Sequence, residues 1–312
     1  MGRSVEIDYK SNRAVRILDL YERLIKGEYI SKAEMVSNYE IAPKTAQRDI
    51  DELRNYIAEK HKFEVEAAIA YDRSKNAYYL VKHEREWFTN QEILAMSKIL
   101  LESRAFAKGE LKILMDKLLL QVIPKDKKIV EQIIRSEHAC YVPLKHNKNL
   151  FAVLWDLSQS IVARKMVKFA YKRVDGREKV HQVKPVAIMF SEYYFYLISF
   201  INTTDCQKKY PTVFRIDRMS KLEELEERFS IPYAEEFSEG EFRKRVQFMY
   251  AGELRRVEFE FSGSSLEAVL DRLPTAKLIK EKDGVHTIEA EVYGIGIDMW
   301  LKSQGDNVKV LN

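Results

Sequence analysis

Cysteine is scarce in this chain: Cys140 and Cys206 are the only two in 312 residues. They lie far apart and make no metal-spaced pair, so a zinc site is not expected and a reducing compartment fits. No apolar run approaches the roughly 20 residues that span a bilayer. The opening stretch MGRSVEIDYKSNRAV carries no apolar targeting run. These absences lead us to expect a soluble, cytoplasmic protein with no membrane partner. A large charge excess is missing as well: 52 basic against 48 acidic residues leave +4. That balance favours an anionic partner only weakly, although a near-neutral chain can hold a local basic patch. Glycine-rich phosphate loops are absent, since GIGIDMW lacks both the spacing and the following lysine. No nucleophile–base pair or carboxylate cluster stands out by spacing. The expectation is therefore a protein that is not an enzyme, with no catalytic residues, no metal site and no cofactor.

What is present suggests two or three domains, with 46% hydrophobic and 32% charged residues. NRAVRILDLYERLIKGEYI has apolar residues at helical spacing (Ala14, Ile17, Leu18, Tyr21, Leu24, Ile25) and stops at Gly27. Ser31 and Glu34 then read as a capping box for a short helix. A third helix starts at Pro43, whose missing N–H is not needed there. Ala46, Ile50, Leu53 and Ile57 share its inner face; Lys44, Thr45 and Arg48 lie opposite or near it, with Gln47 on a flank. The next residues predict a hairpin: Ile69 and Tyr71, a turn through Asp72, Ser74 and Asn76, then Tyr78, Tyr79 and Leu80. Arg73 and Lys75 stand at its tip. Three short helices, a tight second connection and a hairpin suit a helix-turn-helix with a wing. The plain alternative is a solvated helix face, and Asp51 and Glu52 weaken its positive field.

From Thr89, capped with Glu92, the chain reads as helices broken by Gly109 and Pro124. They either join the two ends of the molecule or pair with a second copy, and a two-fold protein suits palindromic DNA.

After Leu150 comes one short helix, then several short strands that fit a small curved sheet or barrel. Val167, Phe169 and Tyr171 alternate onto one face, Asp175–Gly176 marks a hairpin, and Arg177, Lys179 and His181 share a face on the return. Pro185 signals a strand edge or a break. The polar constellation is Lys179, His181, Tyr196, Arg215 and Arg218. Two nearby guanidinium groups can clamp phosphate or carboxylate, and Tyr196 can donate a hydroxyl contact or stack on a base. Alternatively, Asp217, Glu223 or Glu224 neutralises the arginines. A lone His181 is more readily packing than catalyst. The last region reads strand, helix, strand, strand, helix, strand, a split-βαβ-like α+β unit.

At Phe195-Tyr196-Leu197 the chain resembles the WYL-domain transcriptional regulators, with phenylalanine in the place of tryptophan. Tyr171 before the D-G turn, Pro185 and FRIDRM with Arg215 and Arg218 match the frame. KTAQRDIDEL resembles the DeoR-like winged helix that precedes this domain, and the C-terminal unit resembles the extension that follows it. Two positions depart: His181 stands where arginine is frequent, making that charge pH-dependent near a reference pKa of about 6.5. Ala42 stands where a capping serine is usual, a loss of about 1 kcal/mol that Pro43 partly offsets.

The resemblance implies a multidomain α+β fold. Residues 1–84 are the winged helix-turn-helix DNA-binding domain and 85–149 a helical connector open to dimerisation. Residues 150–232 are the Sm-like small β-barrel WYL domain that senses ligand, and 233–312 the C-terminal α+β extension. It implies a bacterial, homodimeric, ligand-responsive regulator of double-stranded DNA. The DNA contacts are Lys44, Thr45, Gln47, Arg48, Arg73 and Lys75. The effector is a nucleotide or short single-stranded nucleic acid held by Tyr171, Lys179, His181, Tyr196, Arg215 and Arg218. The alternatives are a non-regulatory nucleic-acid-binding accessory protein and a nucleotide-processing enzyme.

Overall fold

The computed structural model describes residues 12–60, 68–81, 88–122, 124–201, 210–230 and 237–311. Cys206 and residues 1–11 lie outside them. The chain divides into two compact units. One comprises Met1–Glu102 with Leu111–Tyr141; the other comprises Ser103–Glu110 with Val142–Asn312. Among the described residues no helix is long and apolar enough to cross a membrane.

The first unit opens with α1 (Arg13–Ile25), α2 (Lys32–Tyr39) and α3 (Pro43–Lys60). Each start has a local cause. The Asn12 side chain accepts from the Val15 N–H at 3.2 Å, and Ser31 Oγ accepts from the Glu34 N–H at 3.0 Å. Glu34 does not close the capping box; its carboxylate pairs with Arg23. Ala42 has no side-chain oxygen, but its carbonyl accepts from Thr45 and Ala46 at 2.9 and 3.1 Å. Glu40, at φ +51°, makes the sharp turn between α2 and α3.

Ala46, Ile50, Leu53 and Ile57 are buried with Leu20, Leu24, Met35 and Tyr39 in one core. Here α1 departs from its sequence pattern. Leu18 is 65% exposed, while Arg16 is buried, because Arg16 meets Asp49 of α3. The hairpin forms from β1 (Ala68–Asp72) and β2 (Ala77–Val81), with Tyr71 opposite Tyr78. Asp72 Oδ1 accepts from the Ser74 and Lys75 N–H groups at 2.8 and 3.2 Å, which shapes the turn. A bridge from Ile30 to Tyr78, 2.8 Å in both directions, ties the hairpin to the end of the α1–α2 loop.

Three further helices follow: α4 (Asn90–Ser103), α5 (Lys108–Gln121) and α6 (Pro124–Ala139). The α4 start is a reciprocal capping box. Thr89 Oγ1 accepts from the Glu92 N–H at 3.2 Å, and Glu92 Oε2 accepts from the Thr89 N–H at 2.7 Å. Ile93, Val122 and Val130 pack together in this region, and Asn90 donates to Asp126 at 2.7 Å.

In the second unit, α7 (Phe151–Ala163) lies against a sheet of β3 (Lys165–Lys172), β4 (Glu178–Ser191), β5 (Tyr194–Ile201), β6 (Thr212–Arg215) and β7 (Met219–Arg228). Leu150 offers α7 no side-chain cap. Glu110 does so from a distance: its Oε1 accepts from the Leu150 and Phe151 N–H groups, both at 2.8 Å.

The sheet is antiparallel and ordered β6-β5-β4-β3-β7. This corrects the expectation of an Sm-like small β-barrel: β6 and β7 are the two open edges, joined only by a 3-10 turn, Ile216–Arg218. The physical reason is the helix. Leu157 of α7 packs with Val167, Phe169, Val183, Leu197 and Phe214, so a helix covers the face that a closed barrel would fill with its own side chains. Pro185 sits inside β4, buried, where the register with β5 shifts; a bulge tolerates its missing donor in a central strand.

The opposite face, with Ala187, Met189 and Ile198, packs on Phe242, Val246 and Met249 of the segment containing α8 (Glu239–Arg245). A second sheet follows from β8 (Leu254–Phe261), α9 (Leu266–Arg272), β9 (Lys277–Lys282), β10 (Val285–Tyr293), α10 (Gly296–Ser303) and β11 (Val308–Val310), ordered β11-β8-β10-β9. That is the strand order of a split-βαβ unit. The glycines of GIGIDMW serve close backbone packing. A Cβ on Gly296 would lie 1.9 Å from the Gln247 carbonyl oxygen, and one on Gly294 would lie 2.5 Å from that of Tyr250.

Candidate nucleic-acid face and anion site

Three carboxylates of α3, Asp49, Asp51 and Glu52, are engaged. Asp49 holds Arg16 at 2.7 Å and Arg13 at 3.4 Å, Glu52 pairs with Arg13, and Asp51 pairs with Arg54 at 3.0 Å. Lys44 and Arg48 are exposed and make no ion pair among the described residues. The outer face therefore keeps a positive character that the bare count of Asp and Glu conceals.

Of the other expected DNA contacts, Gln47, Thr45 and Lys75 have internal duties. Gln47 donates to Asp51 at 2.8 Å and accepts from the Tyr78 hydroxyl at 3.1 Å, which fixes its amide against the hairpin. Thr45 is half-buried, and its N–H is held by Ala42. At the hairpin tip Arg73 is exposed. Lys75 lies 3.5 Å from the Tyr29 ring centroid and 3.8 Å from Asp72. Its pKa is raised, first by the Tyr29 hydroxyl, so it stays charged while folded back on the loop.

On the β3–β7 sheet the six expected ligand residues do not form one constellation. Tyr196 and Arg215 are register partners on β5 and β6, and share the face that carries Met189. Lys179 and His181 pair with Tyr171 and Phe169, on the face covered by α7. His181 sits among rings, 4.9 Å from Phe214 and 6.2 Å from Tyr171. Burial, then Lys179 and Arg173, pull its pKa below the usual histidine value. It packs among rings, where burial disfavours its charged form. The faces meet at the β6 edge, where the Arg215 N–H donates to the Tyr171 hydroxyl at 3.3 Å.

Arg215 is clamped. Its Nε and Nη2 donate to the two Asp217 oxygens at 3.0 and 2.8 Å, and its guanidinium lies 3.4 Å from the Tyr194 ring centroid. Burial opposes its charge, but the Asp217 bonds outweigh that and the pKa is raised. Burial pushes the Tyr196 phenol up to about 12, so it remains a hydrogen-bond donor. Arg218 is half-buried, makes no ion pair among the described residues, and its charge acts on Tyr196. Glu223 and Glu224 go to Lys168 and Lys165, at 3.4 and 2.8 Å, rather than to the arginines.

Sequence reasoning missed His146, Lys148 and Tyr194. His146 lies 6.5 Å from Tyr194 between ring centroids. Its pKa is lowered by burial, with Asp217 opposing and Arg215 and Lys148 adding to the fall. Lys148 Nζ donates to the Met219 carbonyl at 3.3 Å. Only Tyr194 had a local signal, beside Phe195-Tyr196-Leu197. Tyr196, Arg215 and Arg218 are the polar groups at this edge, and Asp217 engages Arg215. No group of three or more His, Cys, Asp or Glu residues that could hold a metal occurs among the described residues.

Residues 152–224 match the family model described as the WYL domain, so the chain contains a WYL domain there. No curated protein matches the chain. Among solved structures, proteasome accessory factor B/C (PafBC) of Arthrobacter aurescens is 16% identical with a TM-score of 0.28; the match covers 96% of this chain and 44% of that one. The chain thus spans less than half of that protein. The crystal structure of a CRISPR Cas-related protein is 12% identical with a TM-score of 0.35, covering 100% of this chain and 82% of that one. Identity and superposition are low in both, so the assignment rests on residues 152–224.

Proposed function

We propose that the chain is a ligand-responsive, DNA-binding transcription regulator. The supporting observation is the outer face of α3. Lys44 and Arg48 are open to solvent while every acidic neighbour from Asp49 to Glu52 is held by an arginine. Such a face suits phosphate and base contacts in a major groove, with Arg73 reaching the backbone. Thr45, Gln47 and Lys75 act chiefly by fixing the helix and hairpin. In this reading residues 1–84 are a DeoR-like winged helix-turn-helix and 85–149 connect and pair two copies. Residues 150–232 sense the effector, and 233–312 extend the sensor. A homodimer in the cytoplasm places two copies of α3 in successive grooves of a palindromic site.

The effector is a nucleotide or short single-stranded nucleic acid whose phosphate meets Arg218 and competes with Asp217 for Arg215. Regulation follows when the effector's affinity differs between the DNA-bound and free states. Duplexes selected from a random pool, titrated with and without short oligonucleotides and cyclic dinucleotides, test it. The expected result is a selected sequence whose affinity shifts with one effector class. Absence of any selected duplex removes the DNA role; selection without an effector response leaves a non-regulatory binder.

A further inference from the structure

The chain enters the second unit before its middle helices are finished. α4 up to Glu102 and α5 from Leu111 belong to the first unit, but Ser103–Glu110, the loop with the first turn of α5, belongs to the second. Ala105, Phe106, Ala107 and Glu110 are buried there. The Phe106 ring centroid lies 5.3 Å from that of Phe151 on α7 and 5.6 Å from that of Phe195 on β5. Arg104, at φ +50°, donates from Nε to the Val142 carbonyl at 2.8 Å.

Glu110 holds the far end of the loop. Its Oε1 takes both N–H groups at the α7 start, while its Oε2 is buried without a hydrogen-bond partner among the described residues. A buried acceptor left unmatched is costly and calls for an explanation. The docked loop thus carries a standing cost, offset by ring packing and the bonds to α7. A segment so balanced is suited to open before the sheet behind it.

The loop also adjoins the edge that carries Arg215. Phe195 packs with the core residues under α7, whereas its neighbours Tyr194 and Tyr196 serve Arg215. The Arg215 guanidinium lies on the Tyr194 ring, and Tyr196 is its register partner. His146 feels the charges of Asp217, Arg215, Lys148 and Glu110, so one imidazole has the Arg215–Asp217 pair and the loop carboxylate as neighbours.

We propose that Ser103–Glu110 is a detachable latch. Docked, it fixes the start of α5 to the start of α7; released, it opens while the sheet stays folded. An effector phosphate at the Arg215 edge favours release, a step that rests on the function proposed above. Drawing Arg215 away from Asp217 and Tyr194 shifts the start of β5, and Phe106 loses its seat on Phe195. The unmatched Glu110 oxygen then gains water, which favours the open state. α4 and α5 carry the change onward, because the latch is continuous with both.

Hydrogen–deuterium exchange of the full chain, read by mass spectrometry, tests the latch. In the parent, Ser103–Glu110 and the Leu150 and Phe151 amides should exchange faster than β3–β5. Glu110→Gln and Phe106→Ala should each raise exchange in both places by about tenfold or more, with β3–β5 unchanged. If Phe106→Ala melts early, Glu110→Gln, close to the parent in shape, decides. A short oligothymidylate that binds should raise the same exchange, and Arg218→Ala should abolish that rise. The latch is overturned if Glu110→Gln leaves the loop unchanged or raises β3–β5 equally. A bound oligothymidylate that leaves the loop unchanged overturns effector-driven release. If no oligonucleotide binds, the effector reading falls, and the Glu110→Gln result still decides the latch.

Discussion

Arg16 of α1 and Asp49 of α3 meet at 2.7 Å in the interior of the helical head, with side chains 3% and 0% exposed. The pair fixes the rotation of α3 about its own axis. Arg48, one residue earlier, is therefore held on the outside.

Replacing Asp49 with alanine leaves the Arg16 charge buried and short of its main partner. Removing one partner of a buried pair costs about 3–5 kcal/mol. Urea unfolding followed by circular dichroism should show a loss of that size, and Asp49→Asn a smaller one. A change below about 1 kcal/mol would mean that Arg16 finds water or another acceptor.

Arg48→Ala should weaken duplex binding across sequences and lower the slope of log affinity against log salt by about one unit. Gln47→Ala should act differently. Its amide bridges Asp51 and Tyr78, so its loss should lower thermal stability more than affinity. Anisotropy titrations at several salt concentrations, with parallel melts, separate the two. Equal affinity and equal slope for Arg48→Ala would remove α3 from the interface.

Under the proposed function, an effector's phosphate competes with Asp217 for Arg215 at the sheet edge. Asp217→Asn should therefore tighten binding of short oligonucleotides, while Arg218→Ala should loosen it. Filter binding with labelled oligonucleotides reads both. Tighter binding in Arg218→Ala, or none in any variant, would place the ligand elsewhere.

His146 and His181 both have lowered pKa values, with burial the leading cause. In the unfolded chain each takes up a proton near pH 6.5, while the folded protein resists protonation until lower pH. Stability from these groups is thus full above about pH 6.5 and is lost as pH falls through that value towards the depressed folded pKa values. Chemical denaturation at pH 7.5 and pH 5 should show a destabilised second unit at the lower pH, with the loss reduced in His181→Phe. A loss unchanged by that variant would assign the effect to other groups.

Local chemistry made much of the first unit legible. Ser31, Thr89 with Glu92, and Asp72 act within three residues of themselves, so short stretches announce helix starts and the hairpin turn. The inner face of α3 was equally readable, because Ala46, Ile50, Leu53 and Ile57 follow the helical repeat. α1 was not: its apolar stripe included Leu18, whereas the structure turns Arg16 inward to meet a carboxylate 33 residues away. The polar residues grouped from the sequence do not all share one face. Tyr196 and Arg215 do adjoin, and Asp217 was foreseen as a competitor, but Lys179 and His181 fall on the other face. A two-residue alternation cannot say which strands share a face once bulges at Pro185 and in the β3–β7 ladder shift the register. His146 reaches the site from about 70 residues upstream of Arg215 and left no local sign.

The amino-acid order alone determined the helix starts, the turns, the strand–helix alternation and the absence of metal-spaced cysteines, because those depend on neighbours a few residues apart. Tertiary packing decided that the sheet stays open beneath α7, that Glu110 caps a helix 40 residues away, and which arginines are clamped and which are left exposed. Those outcomes depend on which distant groups share a low-dielectric interior, where one carboxylate within 3 Å settles whether a cation is available to a partner.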